Sequence, residues 1–181
     1  MNGHGWWLVS RSAGVVALLL IAASVLIGLT LAAGLGGPPQ RRRALVAIHE
    51  HAAVTGLAAI GLHGVTLLGD SFLKPGIAGI AVPFVIDYRP AFTGAGIVAG
   101  YLAAILGLSF YARRRIGGRR WRKLHRATPL VYVLALIHTL GAGSDADTPW
   151  LQAILLATTV PAAALLLARM LKPARAKAAR A

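Results

Sequence analysis

The sequence predicts an all-α integral membrane protein, a five-helix transmembrane bundle with its N-terminus outside and its C-terminus inside. Three observations carry that prediction. Of 181 residues, 57% are hydrophobic and only 13% charged, with a mean hydropathy of +0.68, well outside the profile of a soluble globular chain. Apolar runs long enough to cross about 30 Å of hydrocarbon recur five times, near residues 13–35, 44–68, 92–112, 126–143 and 149–171. The basic residues sit at the ends of those runs rather than along a soluble face, so the net charge of +14 reads as a topology signal and no nucleic-acid partner is expected.

The first run, 13–35, follows Trp6, Trp7 and Arg11. It is too long for a signal peptide, lacks a basic segment before it and is followed by Arg41 to Arg43, so it is expected to stay as a span. "GGPPQRRR" breaks it from the second run, 44–68, which carries His49, Glu50, His51 and His63. The long connection from Gly69 to about Ala91 is apolar in its middle but interrupted by Pro75 and Pro83, which predicts a surface-lying or re-entrant segment rather than a further span. The third run, 92–112, contains "GAGIVAG". That stretch lies within a span and lacks the G-x-G-x-x-G spacing, so small-residue helix packing explains it better than dinucleotide binding.

After the basic "RRRIGGRRWRKLHR" comes the fourth run, 126–143, bordered by His125 and holding His138. The turn "GSDADTPW" leads to the fifth, 149–171, and a basic tail over 172–181. The whole chain, 1–181, reads as one transmembrane domain. Sixteen of the nineteen Lys and Arg fall at 41–43, 113–126 and 169–180, in alternate loops and the tail. The positive-inside rule places these in the cytoplasm, leaving Arg11, Lys74, Arg89 and all four aspartates outside. The expected location is the cell (plasma) membrane, multi-pass, with membrane lipid as the surrounding partner.

Cysteine is absent, which excludes disulfides, thiolate ligation and iron–sulfur clusters. Histidine is left as the strong ligand. An unpartnered ionisable group at membrane depth costs roughly 2.5 kcal/mol or more and usually marks a functional site. On the five-span reading the second and fourth spans run parallel, which pairs His49 with His125 on the cytoplasmic side and His63 with His138 on the outer side. The two levels are about 20 Å apart at 1.5 Å rise per residue, enough for two stacked cofactors. Two facing imidazoles at each level describe bis-histidine haem ligation.

Angular phase supports the second span directly. The 14-residue spacing of His49 and His63 falls about 40° short of four turns, whereas His51 lies about 120° from His63. The 13-residue spacing of His125 and His138 would turn the rings about 140° apart on an ideal helix. Pro129 allows a kink or tightened turn that rephases the first ring. His4, in the exposed terminus, and His51 are read as bystanders, and Glu50 as an interfacial carboxylate.

"HEHAAVTGLAAIGLH" from His49 to His63, then "WRKLH" and "LIHTLGAG", resembles the ferric reductase-like transmembrane domain family. That family includes the haem core of NADPH oxidases, fungal ferric reductases and the haem subunit of the bacterial periplasmic methionine-sulfoxide reductase system. The resemblance covers roughly residues 6 to 171 and rests on His spacings of 14 and then 13 on two alternate helices. It implies axial haem iron ligation by His49, His63, His125 and His138, with the 13-residue spacing a family trait. It implies two haem b groups, or one where only the outer pair ligates. Arg11 matches the arginine that the oxidases place near the outer haem, against an interfacial arginine snorkelling beside Trp6 and Trp7. Many family members have six spans, and the oxidases carry a cytoplasmic flavin and nicotinamide domain. Here the expectation is an electron-transfer component without that domain, taking electrons from a donor flavoprotein or quinol and passing them to an outer acceptor. The alternatives are the haem subunit of a methionine-sulfoxide reductase-type system, and a non-redox transporter using the histidines as Zn or Cu ligands.

Overall fold

The computed structural model describes residues 3–171, and the basic tail expected over 172–181 lies outside them. Eight α-helices and one 3₁₀ turn make up the regular structure of the described residues: α1 Gly3–Ala32, α2 Pro39–Thr66, α3 Gly76–Ala81, α4 Pro90–Leu108, α5 Arg113–Ile116, α6 Gly118–His125, α7 Thr128–Ala142 and α8 Pro149–Leu171. Four of them, within 4–32, 39–69, 90–108 and 149–171, are long and apolar enough to cross a membrane. The chain is therefore a helical membrane protein.

The first helix starts ten residues before the run that hydropathy marks, because its opening turns are held by packing. The Trp6 ring lies where a side chain on Gly69 would stand. α1 ends where Gly34 and Gly37 take φ of 80° and 73°, left-handed conformations that stop a helix cheaply only at glycine. Pro38 is extended and Pro39 opens α2, the position at which a missing N–H costs nothing. The turn is short, so α2 folds back along the whole of α1.

The α1/α2 contact repeats every seven residues. Gly14 faces His63, Ile21 faces Gly56, and Gly28 faces His49. Each large side chain meets a glycine across the interface, and a strict seven-residue period keeps two helices in register in the left-handed coiled sense.

Beyond the 3₁₀ turn Leu67–Gly69, Asp70 Oδ1 accepts from the N–H groups of Phe72 at 2.7 Å and Leu73 at 3.0 Å. That side-chain turn reverses the chain. α3 has six residues, about 9 Å, far too few to cross a bilayer. The Tyr101 hydroxyl of α4 ties it down by donating to the Ala81 carbonyl. Three non-glycine residues in this connection, Lys74, Phe84 and Arg89, have φ of 40°, 67° and 44°.

α4 buries Gly94, Ala95, Ala99 and Ala103 and packs along α7. The small residues of "GAGIVAG" thus serve close helix packing. α5 and α6 are separated by Gly117 at φ 89°. Where the sequence predicts a span over 126–143, α7 is a 15-residue helix of about 22 Å, shorter than the hydrocarbon core, and charged α6 precedes it as a separate helix.

α1 is central. Its Leu18, Ile21, Ala22, Val25 and Leu29 form the core with Leu106 of α4, Val131 and Tyr132 of α7, and Leu151 and Leu155 of α8. The Tyr132 hydroxyl satisfies itself on Thr158 at 2.6 Å and Thr159 at 3.0 Å. Ile48, Val54 and Leu62 of α2 and Leu156 and Val160 of α8 are exposed, as faces turned to hydrocarbon require.

Candidate functional site: two facing histidine pairs

α2 carries His49 and His63 on one face, and each meets a histidine from beyond α4. The rings of His49 and His125 have centroids 6.0 Å apart at an interplanar angle of 87°. Those of His63 and His138 are 6.2 Å apart at 71°. α2 and α7 are not packed backbone against backbone, so the imidazoles bridge a gap between them. The 13-residue spacing is accommodated by a break. α6 ends at His125, Arg126 and Ala127 turn, and α7 restarts at Thr128 with Pro129 in its first turn.

Three of the four rings are tied back through Nδ1 to a main-chain carbonyl. His49 donates to Ser24 at 2.8 Å, His63 to Ser10 at 2.9 Å and His138 to Phe92 at 3.0 Å. A carbonyl only accepts, so Nδ1 holds the proton and Nε2 presents a lone pair, the tautomer that a metal takes. Such outer hydrogen bonds fix ring orientation and raise ligand basicity. His125 is held differently. Its Nδ1 is buried without a hydrogen bond, and its ring stacks on Trp121 at 4.9 Å and 23°, while Trp121 Nε1 donates to Ser109 Oγ at 3.2 Å.

Glycines make the room. A Cβ on Gly14 would lie 3.0 Å from His63 Nδ1, one on Gly28 3.1 Å from His49 Cε1, and one on Gly96 2.5 Å from His138 Nδ1. These glycines and the two serines escape a reading that looks for ligands. The signal that finds them is a Ser-x-x-x-Gly unit, Ser10 to Gly14, repeated 14 residues on as Ser24 to Gly28, with the spacing of the α2 histidines.

Two neutral imidazoles facing across each gap are a donor set that could hold one metal centre between them. Two metal–imidazole bonds of about 2.0–2.1 Å end to end, plus about 1.1 Å from each nitrogen to its ring centre, put the centroids roughly 6.3 Å apart. Both pairs match that span. A cavity of about 440 Å³ opens between His49 and His125, with Leu57, Leu106 and Val131 among its walls and Arg122, Arg126 and Arg169 on its lining. That volume suits a sizeable organic cofactor, and the guanidinium groups suit its carboxylates. No group of three or more His, Cys, Asp or Glu able to hold a bare metal ion occurs among the described residues.

The remaining histidines stand apart. His51 Nδ1 bonds the Ala47 carbonyl of its own helix at 2.7 Å, and His4 stacks on Trp7 at 5.5 Å. Arg11 follows Ser10 in sequence but turns to Asp145, with Nε to Oδ2 and a terminal nitrogen to Oδ1 both at 2.5 Å. Its guanidinium also lies 5.3 Å from the Trp7 ring centre. This fork joins α1 to the turn between α7 and α8, two segments 134 residues apart.

No family model, curated protein or solved structure matches the chain.

Proposed function

We propose that the chain is a b-type haem membrane protein that carries single electrons across the plasma membrane, from a cytoplasmic flavoprotein or quinol to an outer acceptor, as a ferric reductase-like domain does. The observation that carries this reading is the repeated pair of imidazoles, 6.0 and 6.2 Å apart, with Nδ1 of three rings committed to main-chain carbonyls. We take α7 alone as the fifth membrane segment, and the ends bearing Arg41–Arg43 and the charged α6 as cytoplasmic. His49 and His125 are then the inner pair, and His63 and His138 the outer pair, about 21 Å away along α2.

Bound haem would supply the one-electron chemistry of its iron. The chain's own residues do the rest. His49, His63, His125 and His138 would hold it, the Ser24, Ser10 and Phe92 carbonyls keep three of those rings in the ligating tautomer, and apolar side chains would surround it. Trp121, stacked on His125, fixes the inner ring from the cytoplasmic side, while Arg122, Arg126 and Arg169 offer charge to carboxylates. A transporter using Zn needs three or four donors around one ion. Facing pairs favour haem over that reading.

Membranes from an overexpressing host should gain a b-type Soret band and an alpha band that sharpens on reduction. Colourless purified protein from a haem-replete host would sink the proposal.

A further inference from the structure

We propose that α1 is the positioning helix of both levels, its repeated Ser-x-x-x-Gly unit latching His49 and His63 in one tautomer and one orientation. This rests on the reading of those histidines as ligands and adds residues to it. Ser10 and Ser24 make the same three contacts one level apart. The Ser10 hydroxyl lies 3.0 Å from His63 Nδ1 and donates to the His63 carbonyl at 3.0 Å, and the Ser10 carbonyl accepts from Nδ1 at 2.9 Å. The Ser24 hydroxyl lies 3.0 Å from His49 Nδ1 and donates to the His49 carbonyl at 3.2 Å, and the Ser24 carbonyl accepts from Nδ1 at 2.8 Å. Hydroxyl and carbonyl together share the Nδ1 proton and grip the backbone of the same histidine.

A hydroxyl in an apolar helix ordinarily bonds back to its own helix one turn earlier. Thr30 does so to Leu26 at 2.8 Å, Thr66 to Leu62 at 2.7 Å and Thr158 to Ile154 at 2.9 Å. Ser10 and Ser24 instead cross to α2, and each does it at a ligand histidine. One turn further on, Gly14 and Gly28 lie on the same face. A Cβ there would come within 3.0 and 3.1 Å of the rings, so each ring is seated over a glycine and held by the serine before it. The spacing is 14 on α1 and 14 on α2, and in an antiparallel pair equal spacings return the same register at the second level.

Small-residue packing is the competing account, since Ser and Gly four apart also let helices approach. Packing needs only size, so it tolerates Ser→Ala. Latching does not. The test is NMR of full-length, ¹⁵N-histidine-labelled protein in detergent, which reads each ring's tautomer and Nδ1 proton exchange with or without haem. His49 and His63 should carry the proton on Nδ1. Ser24→Ala should speed exchange at His49 by about tenfold and leave His63 unchanged, and Ser10→Ala should do the reverse, as expected for losing one shared hydrogen bond. In haem-loaded protein each variant should raise the midpoint potential of its own level alone, because a weaker Nδ1 bond makes a less basic ligand.

Gly28→Val should remove the low-spin signature at the inner level only; if that variant fails to insert, the serine pair decides. Protons on Nε2, unchanged exchange in both serine variants, or changes spreading to both levels would overturn the latch. Protein that binds no haem yet shows the two Nδ1 protons and their level-specific response would instead retain the latch and overturn the haem reading.

Discussion

His138 sits over Gly96. A Cβ at that glycine would come 2.5 Å from His138 Nδ1, the atom that donates to the Phe92 carbonyl at 3.0 Å. Phe92 lies one turn before Gly96 on α4, so a single turn of helix supplies both the acceptor that orients the ring and the space the ring occupies.

Gly96→Ala should therefore displace His138 while His49 and His125 stay as they are. Overpacking of this kind costs about 1–3 kcal/mol. Haem stoichiometry and the low-spin spectrum should fall at the outer level, whereas Gly100→Ala, whose nearest neighbour would be Ile60 at an ordinary 3.4 Å, should change neither. Equal behaviour of the two variants would remove Gly96 from the site.

Arg11 and Asp145 make a second prediction. The aspartate side chain is 10% exposed and the arginine 36%, so the pair is worth about 1 kcal/mol, near the top of the range for exposed pairs. Arg11→Ala costs more, about 2 kcal/mol, because it leaves a largely buried carboxylate without its hydrogen-bond partner. Removing Asp145 as well should restore part of the lost thermal stability. The same cycle tests the sequence-based reading of Arg11 as a cofactor residue. If Arg11→Ala altered the outer haem spectrum while Asp145→Ala did not, the guanidinium would be acting on the cofactor rather than on the turn.

Orientation is open to labelling because the chain has no cysteine of its own. Ser144→Cys, exposed in the turn between α7 and α8, should react with an impermeant thiol reagent on intact cells. Arg119→Cys in α6 should react only after lysis, since the basic residues around it hold that helix in the cytoplasm. Gly117 is a poorer probe, as its φ of 89° strains any residue with a side chain. Reversed labelling would exchange the sides assigned to the two pairs and leave the pairs intact.

Hydropathy made four of the spans legible, since each is a long apolar run, and the 14-residue period put His49 and His63 on one face. What it missed depends on contacts between distant residues. α1 extends back to Gly3 because Trp6 packs on Gly69 and Ser10 bonds His63, neither of which an apolar average can register. Pro129 signalled a disturbance near His125, but the turn at Arg126 and Ala127 follows from setting the charged α6 apart from the apolar α7. Ser10, Ser24 and the glycines facing the rings carry no chemistry individually. Only their repetition at the histidine spacing marks them, and it has meaning once the two helices are known to be antiparallel.

The number of haems is the last prediction. At the inner pair His125 Nδ1 is buried without a hydrogen-bond partner, and the ring is held by its stack on Trp121. Both centroid distances nevertheless suit one iron, and a cavity of about 440 Å³ lies at the inner level. Purified protein should therefore hold two haems per chain. His49→Ala should reduce this to one and leave the outer haem low-spin, because a site about 21 Å away keeps both of its own ligands. Trp121→Ala should weaken the inner haem alone, since it removes the stack that steadies the His125 ring, whereas Trp121→Phe, which keeps a stacking face, should retain most of it. One haem per chain in the wild type, unchanged by His49→Ala, would instead confine ligation to His63 and His138. His49 would then be a ring held by Ser24 at the cytoplasmic end of α2, with Trp121 packing that end of the bundle.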